Sequence, residues 1–434
     1  MGFRFPEFLP FRDTGKISRV SGTDNAVRMG NSACRFSDKK ELRAVPAVGL
    51  IGFVLFLTFS GFGMVIPVLP SLVEEDGAAP YHLGYLLGIY SLISFLTAPV
   101  WGALSDRWGH NRVIFTGLLG FGLSFWLFGM FVHDLAWMYV SRILGGLFSG
   151  AAIASSMAYL ADATEDEART RAMGIAGMSI GLGFVFGPAI GGILGHVQAS
   201  LPFYAAAILS WFAALIVLAR LPVVVPKHGE RMVTGFGAAL RLLRGRTGYL
   251  LVLTFLIIFS RAGLESTVVF YAMRTFGATS YELGILFTFV GLVTAFTQGA
   301  LVSRIRAGQE TRAIALGLLV SALGFYLIVF TGSLFSAILF VSVFALGNSL
   351  VRPIVLSLLT RVTPVAQGAT SGANTAMDSL GRVLGPVVGG HLFTWEPRAP
   401  FFAGVLYSLT GLVVLYLFVR RSALEEGTPA SRRS

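Results

Sequence analysis

Six ionisable side chains, Arg142, Arg261, Glu265, Arg352, Asp378 and Arg382, fall inside apolar runs long enough to cross a bilayer. A charged group at the centre of a spanning helix costs about 2.5 to 3.5 kcal/mol on insertion scales, so each is a functional candidate by default. Glu265 lies near the middle of its run, in Leu264-Glu265-Ser266-Thr267. A carboxyl held in low dielectric can load and release a proton near neutral pH. Protonation also removes a charge that attracts cations, so a proton and a cation can compete for it. Arg261 stands four residues before Glu265, and Asp378 four before Arg382. That spacing is nearly one helical turn, so each acid can touch its arginine. A paired arginine favours the ionised carboxylate and opposes the effect of burial. Two readings stand: neutralised structural ion pairs, or acids that exchange arginine partners as the protein changes shape. Arg142, in Ser141-Arg-Ile-Leu-Gly-Gly146, sets a positive charge in the outer part of its run. There it can hold a carboxylate ionised or snorkel outward.

The elements that position these groups are helices in lipid. Of 434 residues 55% are apolar and 13% charged, against roughly 25% charged in soluble proteins. Apolar windows of spanning length recur at 46–70, 83–104, 112–132, 136–161, 172–195, 201–221, 249–271, 282–303, 312–331, 335–359, 368–393 and 400–419, which predicts an all-α integral membrane fold of twelve helices. The net charge of +11 would suggest nucleic acid in a soluble chain. Its placement excludes that partner and names the lipid bilayer instead. With both termini in the cytoplasm, inside segments hold 27 of the 33 Lys and Arg, outside loops hold Arg274 and Arg398, and the remaining four lie within spans. Such alternation follows the positive-inside rule and predicts a multi-pass plasma-membrane protein.

Soluble chemistry is absent from the sequence. Cys34 is the only cysteine, so neither an intrachain disulfide nor a cysteine-based metal site is expected. There is no Gly-rich phosphate loop with Lys, no His-Glu-x-x-His and no nucleophile elbow, and the six histidines sit at span ends or in loops. No cofactor, metal, enzymatic activity or ATP drive is expected. Were the chain to move solute uphill, the energy would come from an ion gradient, where each charge crossing about 100 mV is worth about 2.3 kcal/mol.

Organisation along the chain is bipartite. A cytoplasmic tail (1–45) precedes six spans (46–221), a basic linker (222–248), six further spans (249–420) and a second cytoplasmic tail (421–434). Within the linker, Gly235 to Arg246 reads as an amphipathic helix on the inner membrane face. Gly102-Ala-Leu-Ser-Asp-Arg107 closes the second span and Gly299-Ala-Leu-Val-Ser-Arg304 closes the eighth, 197 residues later. Gly183-Phe-Val-Phe-Gly-Pro-Ala-Ile-Gly-Gly192 in the fifth span and Gly381-Arg-Val-Leu-Gly-Pro-Val-Val-Gly-Gly390 in the eleventh are 198 apart. Two motifs sharing one offset predict a duplicated six-helix unit with both copies in the same orientation. Parallel repeats place a solute site at the midplane between halves that rock about it.

These residues resemble the major facilitator superfamily, and within it the bacterial drug-proton antiporters of the quinolone- and tetracycline-exporter type, over roughly residues 48 to 420. Gly102-Ala-Leu-Ser-Asp-Arg-Trp-Gly-His-Asn-Arg112 is similar to the superfamily's signature between helices two and three. By that likeness Gly102, Asp106, Arg107, Gly109 and Arg112 form a conformational latch; the residues alone equally allow topology-fixing charges. Tyr159-Leu-Ala-Asp162 resembles the same exporters and adds Asp162 to the gate, although a helix cap or surface ion pair also accounts for it. Gly183, Gly187, Pro188, Gly191 and Gly192 are similar to the helix-five antiporter motif, which implies export; small-residue packing is the plainer account. Arg142 resembles the family's buried arginine associated with proton coupling, and Glu265 aligns with an intramembrane glutamate of the quinolone exporters. The chain departs from the pattern where those exporters carry a second acid before Arg-Pro: Ser349 stands there, ahead of Arg352-Pro353. Asp378 is the candidate replacement. Thr58 occupies the place of the tetracycline exporters' helix-one aspartate. The resemblance implies alternating-access export of small amphipathic compounds in exchange for protons, by a chain functional as a monomer. A metabolite or sugar carrier of the same fold with weak coupling, and a non-transporting membrane sensor or enzyme, are the alternatives.

Overall fold

In the computed structural model the chain is described over residues 30–224, 245–305, 308–362 and 367–426, where helices are joined by short turns and no strand occurs. Lipid offers no partner to a backbone N–H or C=O, so each apolar run satisfies its own as a helix. The long helices are α1 (Gly30–Val65), α2 (Tyr81–Trp108), α3 (His110–Met130), α4 (Leu135–Ala163), α5 (Asp166–Val197), α6 (Leu201–Arg220), α7 (Arg246–Phe276), α8 (Ser280–Phe296), α9 (Glu310–Ile328), α10 (Leu334–Val362), α11 (Gln367–Trp395) and α12 (Ala399–Glu426). A short helix, Leu69–Glu75, extends α1 beyond a turn. Eleven of them are long and apolar enough to span a membrane. The exception is α11, a 29-residue helix that carries Asn374, Thr375, Asp378, Ser379 and Arg382.

The structure departs clearly from the sequence expectation in two places, and a third expectation falls largely outside the described residues. The helix of the first span begins at Gly30 rather than at 46, through a polar stretch. The expected amphipathic segment, Gly235 to Arg246, lies outside the described residues but for its end, which opens α7. The motif at the end of α8 does not repeat the regular helix of its partner: Thr297–Leu301 is a π turn followed by a 3-10 turn at Val302–Arg304. The turns beyond the two motifs do match. Gly109 has φ +87° and Gly308 φ +88°, a left-handed conformation that glycine adopts without strain.

Packing follows the repeat. Helix α1 lies on α5 and α6 as α7 lies on α11 and α12, while α4 touches α2 and α3 as α10 touches α8 and α9. Two further pairs, α2 with α11 and α5 with α8, join the first six helices to the last six and exchange under the same operation. One buried core, from Ala47 to Leu221, belongs wholly to the first six helices. Another, from Leu250 to Phe418, belongs wholly to the last six. The third includes Val65, Leu83, Phe121, Phe270, Leu283 and Phe393 and runs through both. The halves are therefore sealed at the end bearing Tyr81 and Ser280.

At that end, backbone meets backbone. A Cβ on Gly284 would stand 2.6 Å from the Pro188 carbonyl oxygen, and one on Gly84 would collide with that of Pro386. The opposite ends of the helices part. A Cβ on Gly102, Gly174, Gly177, Gly181 or Gly299 would meet nothing within 4 Å.

Candidate functional site

The six intramembrane charges fall into three groups. Arg261 Nε donates to Glu265 Oε1 at 2.7 Å along α7. On α11, Arg382 Nε donates to Asp378 Oδ2 at 2.9 Å, so both anticipated one-turn pairs form. Asp378 has a second partner that spacing did not disclose: Arg352 Nη2, from α10, donates to its Oδ1 at 2.9 Å. The carboxylate is only 16% exposed while the Arg352 and Arg382 side chains are 43% and 49% exposed, so two half-open guanidiniums cover one acid. Arg142 stands apart, on α4. It is 4% exposed, lies over the Phe128 ring at 4.7 Å, and its Nε and Nη2 have no hydrogen-bond partner.

Beside Glu265 is a cavity of about 20 Å³ lined by Arg261, Phe287, Thr294, Phe344, Asn348 and Ser349, enough for about one water. Ser349 is buried there and donates to Thr294 Oγ1 at 3.2 Å, so it adjoins Glu265. Thr58 is buried too, its hydroxyl donating to the Val54 carbonyl at 2.7 Å within its own helix. Of the aromatic residues near the site, Phe62 approaches Tyr90 at 5.4 Å and Phe184 at 6.1 Å.

The helix-five motif has two faces. Gly183, Gly187 and Gly191, each four residues on, lie against Phe59, Ser60, Gly63 and Met64 of α1, whereas Pro188 and Gly192 meet Gly284 of α8. In α11 the copy is the same: Gly381, Gly385 and Gly389 lie on α7, while Pro386 and Gly390 meet Gly84 and Tyr81 of α2. The partners of that second face carry a repeat the motif search passed over, Tyr81-His-Leu-Gly84 and Tyr281-Glu-Leu-Gly284, 200 residues apart. A polar link joins the halves here: Tyr85 Oη and His391 Nε2 are 2.8 Å apart, with Tyr81 stacked on His391 at 5.1 Å.

At the parted end, Gly102, Asp106, Arg107, Gly109 and Arg112 surround the α2–α3 turn, where Arg107 and Arg112 are exposed. Asp162, read as a gate residue or else as a cap or surface ion pair, lies inward of the surface. Its side chain is 7% exposed and pairs at 2.9 Å with the fully buried His110 Nε2. His110 Nδ1 is 2.7 Å from Ser105 Oγ, so a Ser105–His110–Asp162 relay ties α2 and α3 to α4. His110 opens α3 directly after the left-handed Gly109, which turns its ring inward.

The sequence model of the Major Facilitator Superfamily matches residues 51–377 and 250–434. The chain belongs to this superfamily. Multidrug resistance protein 1 of Bacillus subtilis is 30% identical over 378 residues, covering 86% of this chain and 96% of the relative. Quinolone resistance protein NorA of Staphylococcus aureus is 28% identical over 373 residues, covering 84% and 94%. The fold is shared with a bacterial homologue of the human lysosomal transporter Spinster in an inward-facing, occupied conformation, with TM-score 0.73 at 15% identity over 89% of this chain and 99% of that one. A superfamily transporter with multidrug-resistance relatives is a multi-pass membrane protein whose family moves solutes rather than transforming them.

Proposed function

We propose that the chain exports small amphipathic compounds from the cytoplasm by alternating access, in exchange for protons, as a monomer in the bacterial plasma membrane. The observation that carries the reading is a charged midplane site with helices sealed on one side of it and parted on the other. Charge asymmetry assigns the parted end, with Arg107, Arg112 and Arg304, to the cytoplasm. On that assignment the conformation faces inward and admits solute from within.

Residue roles follow from position. Glu265, held by a single arginine beside a water-sized cavity, is the proton carrier. Asp378, held by two, organises Arg352 and Arg382, and Arg142 supplies a standing positive charge on the other half. Gly102, Asp106, Arg107, Gly109, Arg112 and Asp162 form the cytoplasmic latch around the buried His110. Gly183, Gly187 and Gly191 fix α5 to α1 while Pro188 and Gly192 make and break the outer seal. The domain division is a pair of six-helix bundles, 46–221 and 249–420, moving about the linker.

The pairing of both acids favours a second reading, a metabolite carrier with little proton coupling. Export by cells producing Glu265→Gln and Asp378→Asn chains separates the two. Proton exchange requires that the pH dependence of export disappear in Glu265→Gln; full pH-dependent export by both variants excludes coupling through these acids.

A further inference from the structure

Counting charge across the membrane interior gives four guanidiniums, Arg142, Arg261, Arg352 and Arg382, against two carboxylates, Glu265 and Asp378. The Arg261–Glu265 pair is neutral, the Arg352–Asp378–Arg382 cluster keeps one positive charge, and Arg142 adds another. We propose that the space between the halves binds an organic anion, an amphipathic compound bearing one carboxylate or sulfonate, with Arg382 and Arg352 as its first contacts. This rests on the reading of the chain as a transporter and names the substrate class of that site.

Three observations support it. The two excess charges have no counter-charge among the described membrane-embedded residues, and for the buried Arg142 an uncompensated charge in low dielectric is costly. Arg142 is nearly fully buried with two guanidinium nitrogens unpartnered, so its charge is not relieved by hydrogen bonding within the protein. Arg352 and Arg382 each spend one nitrogen on Asp378 and keep the rest of a half-exposed planar fork, the geometry that takes a carboxylate with two parallel bonds. Phe62, Phe184 and Tyr90 cluster on the opposite half, and the proposal assigns them to the body of such a compound. A cation entering the same space meets net positive charge, and reaching either acid means displacing an arginine from it. The excess persists with both acids ionised, the condition that proton release to the cytoplasm creates. Anion export is also the direction that a membrane negative inside favours.

The test uses the full chain, in detergent for binding and in proteoliposomes for exchange, with 1-naphthoate and 1-naphthylmethylammonium as probes that share an aromatic body and differ in charge. The expected result is naphthoate binding at least about ten-fold tighter than the ammonium, weakened by Arg382→Gln about ten-fold and only partly restored in Arg382→Lys, which returns the charge but not the planar fork. Naphthoate, and not the ammonium, should also show counterflow. Tighter binding of the ammonium, or an unchanged preference in both Arg382→Gln and Arg352→Gln, overturns the anion site. Counterflow of the ammonium alone leaves the transport reading standing and removes this one. Naphthoate binding without counterflow keeps the site and removes the transport reading, and failure of both probes in both assays overturns both.

Discussion

Asp378 is gripped by two guanidiniums and Glu265 by one, and this inequality predicts different outcomes for neutralising them. In Asp378→Asn, Arg352 and Arg382 lose their shared counter-charge and repel. Because both are about half exposed, the expected loss of stability is about 1 to 2 kcal/mol rather than the 3 to 5 of a fully buried pair, seen as a lowered melting temperature of the purified chain. Glu265→Gln leaves one partly exposed Arg261, so the melting temperature should change little while pH-dependent export falls. His110→Ala removes the common partner of Ser105 and Asp162 from a buried site and should cost about 1 to 3 kcal/mol, with His110→Gln recovering part of it in the same melting assay. The one-turn pairs were legible because four residues on a helix fix a neighbour. The Arg352 link and the His110 relay cross between helices, and no spacing along the chain encodes that.

Helices α5 and α11 each present two faces, a glycine row to the neighbour in their own half and a Pro-x-x-x-Gly pair to the opposite half. The row was legible as small-residue packing, but what the other face meets was not, since its partner lies a half-chain away. The Tyr-x-Leu-Gly repeat was the available signal, and its matched offset would have paired α2 with α11 and α5 with α8. The spans themselves were legible from recurring apolar windows together with charge alternation, and α11, less apolar than the other eleven, depended on the alternation. Gly284→Leu places a side chain against the Pro188 carbonyl and should wedge the sealed end, reducing counterflow at least about ten-fold, whereas Gly49→Ala, where a Cβ meets nothing within 4 Å, should leave it intact.

Across the whole molecule, two cores that stay within their halves and a third that joins them describe a hinge closed on one side. Duplication could be read from the sequence; which end is closed could not, because the contacts that close it join residues of opposite halves. In a Cys34→Ser chain, a cysteine at Gly181 should react with a membrane-impermeant thiol reagent at least about ten-fold faster in inside-out than in right-side-out vesicles, while equal rates would refute the assignment of the parted end to the cytoplasm. The most direct test of the central claim is uphill movement of a fluorescent amphipathic compound in proteoliposomes under an imposed pH gradient. Proton-coupled alternating access predicts accumulation by the wild-type chain that collapses when the gradient is dissipated, and only downhill equilibration by Glu265→Gln. Undiminished uphill accumulation by both Glu265→Gln and Asp378→Asn would contradict it.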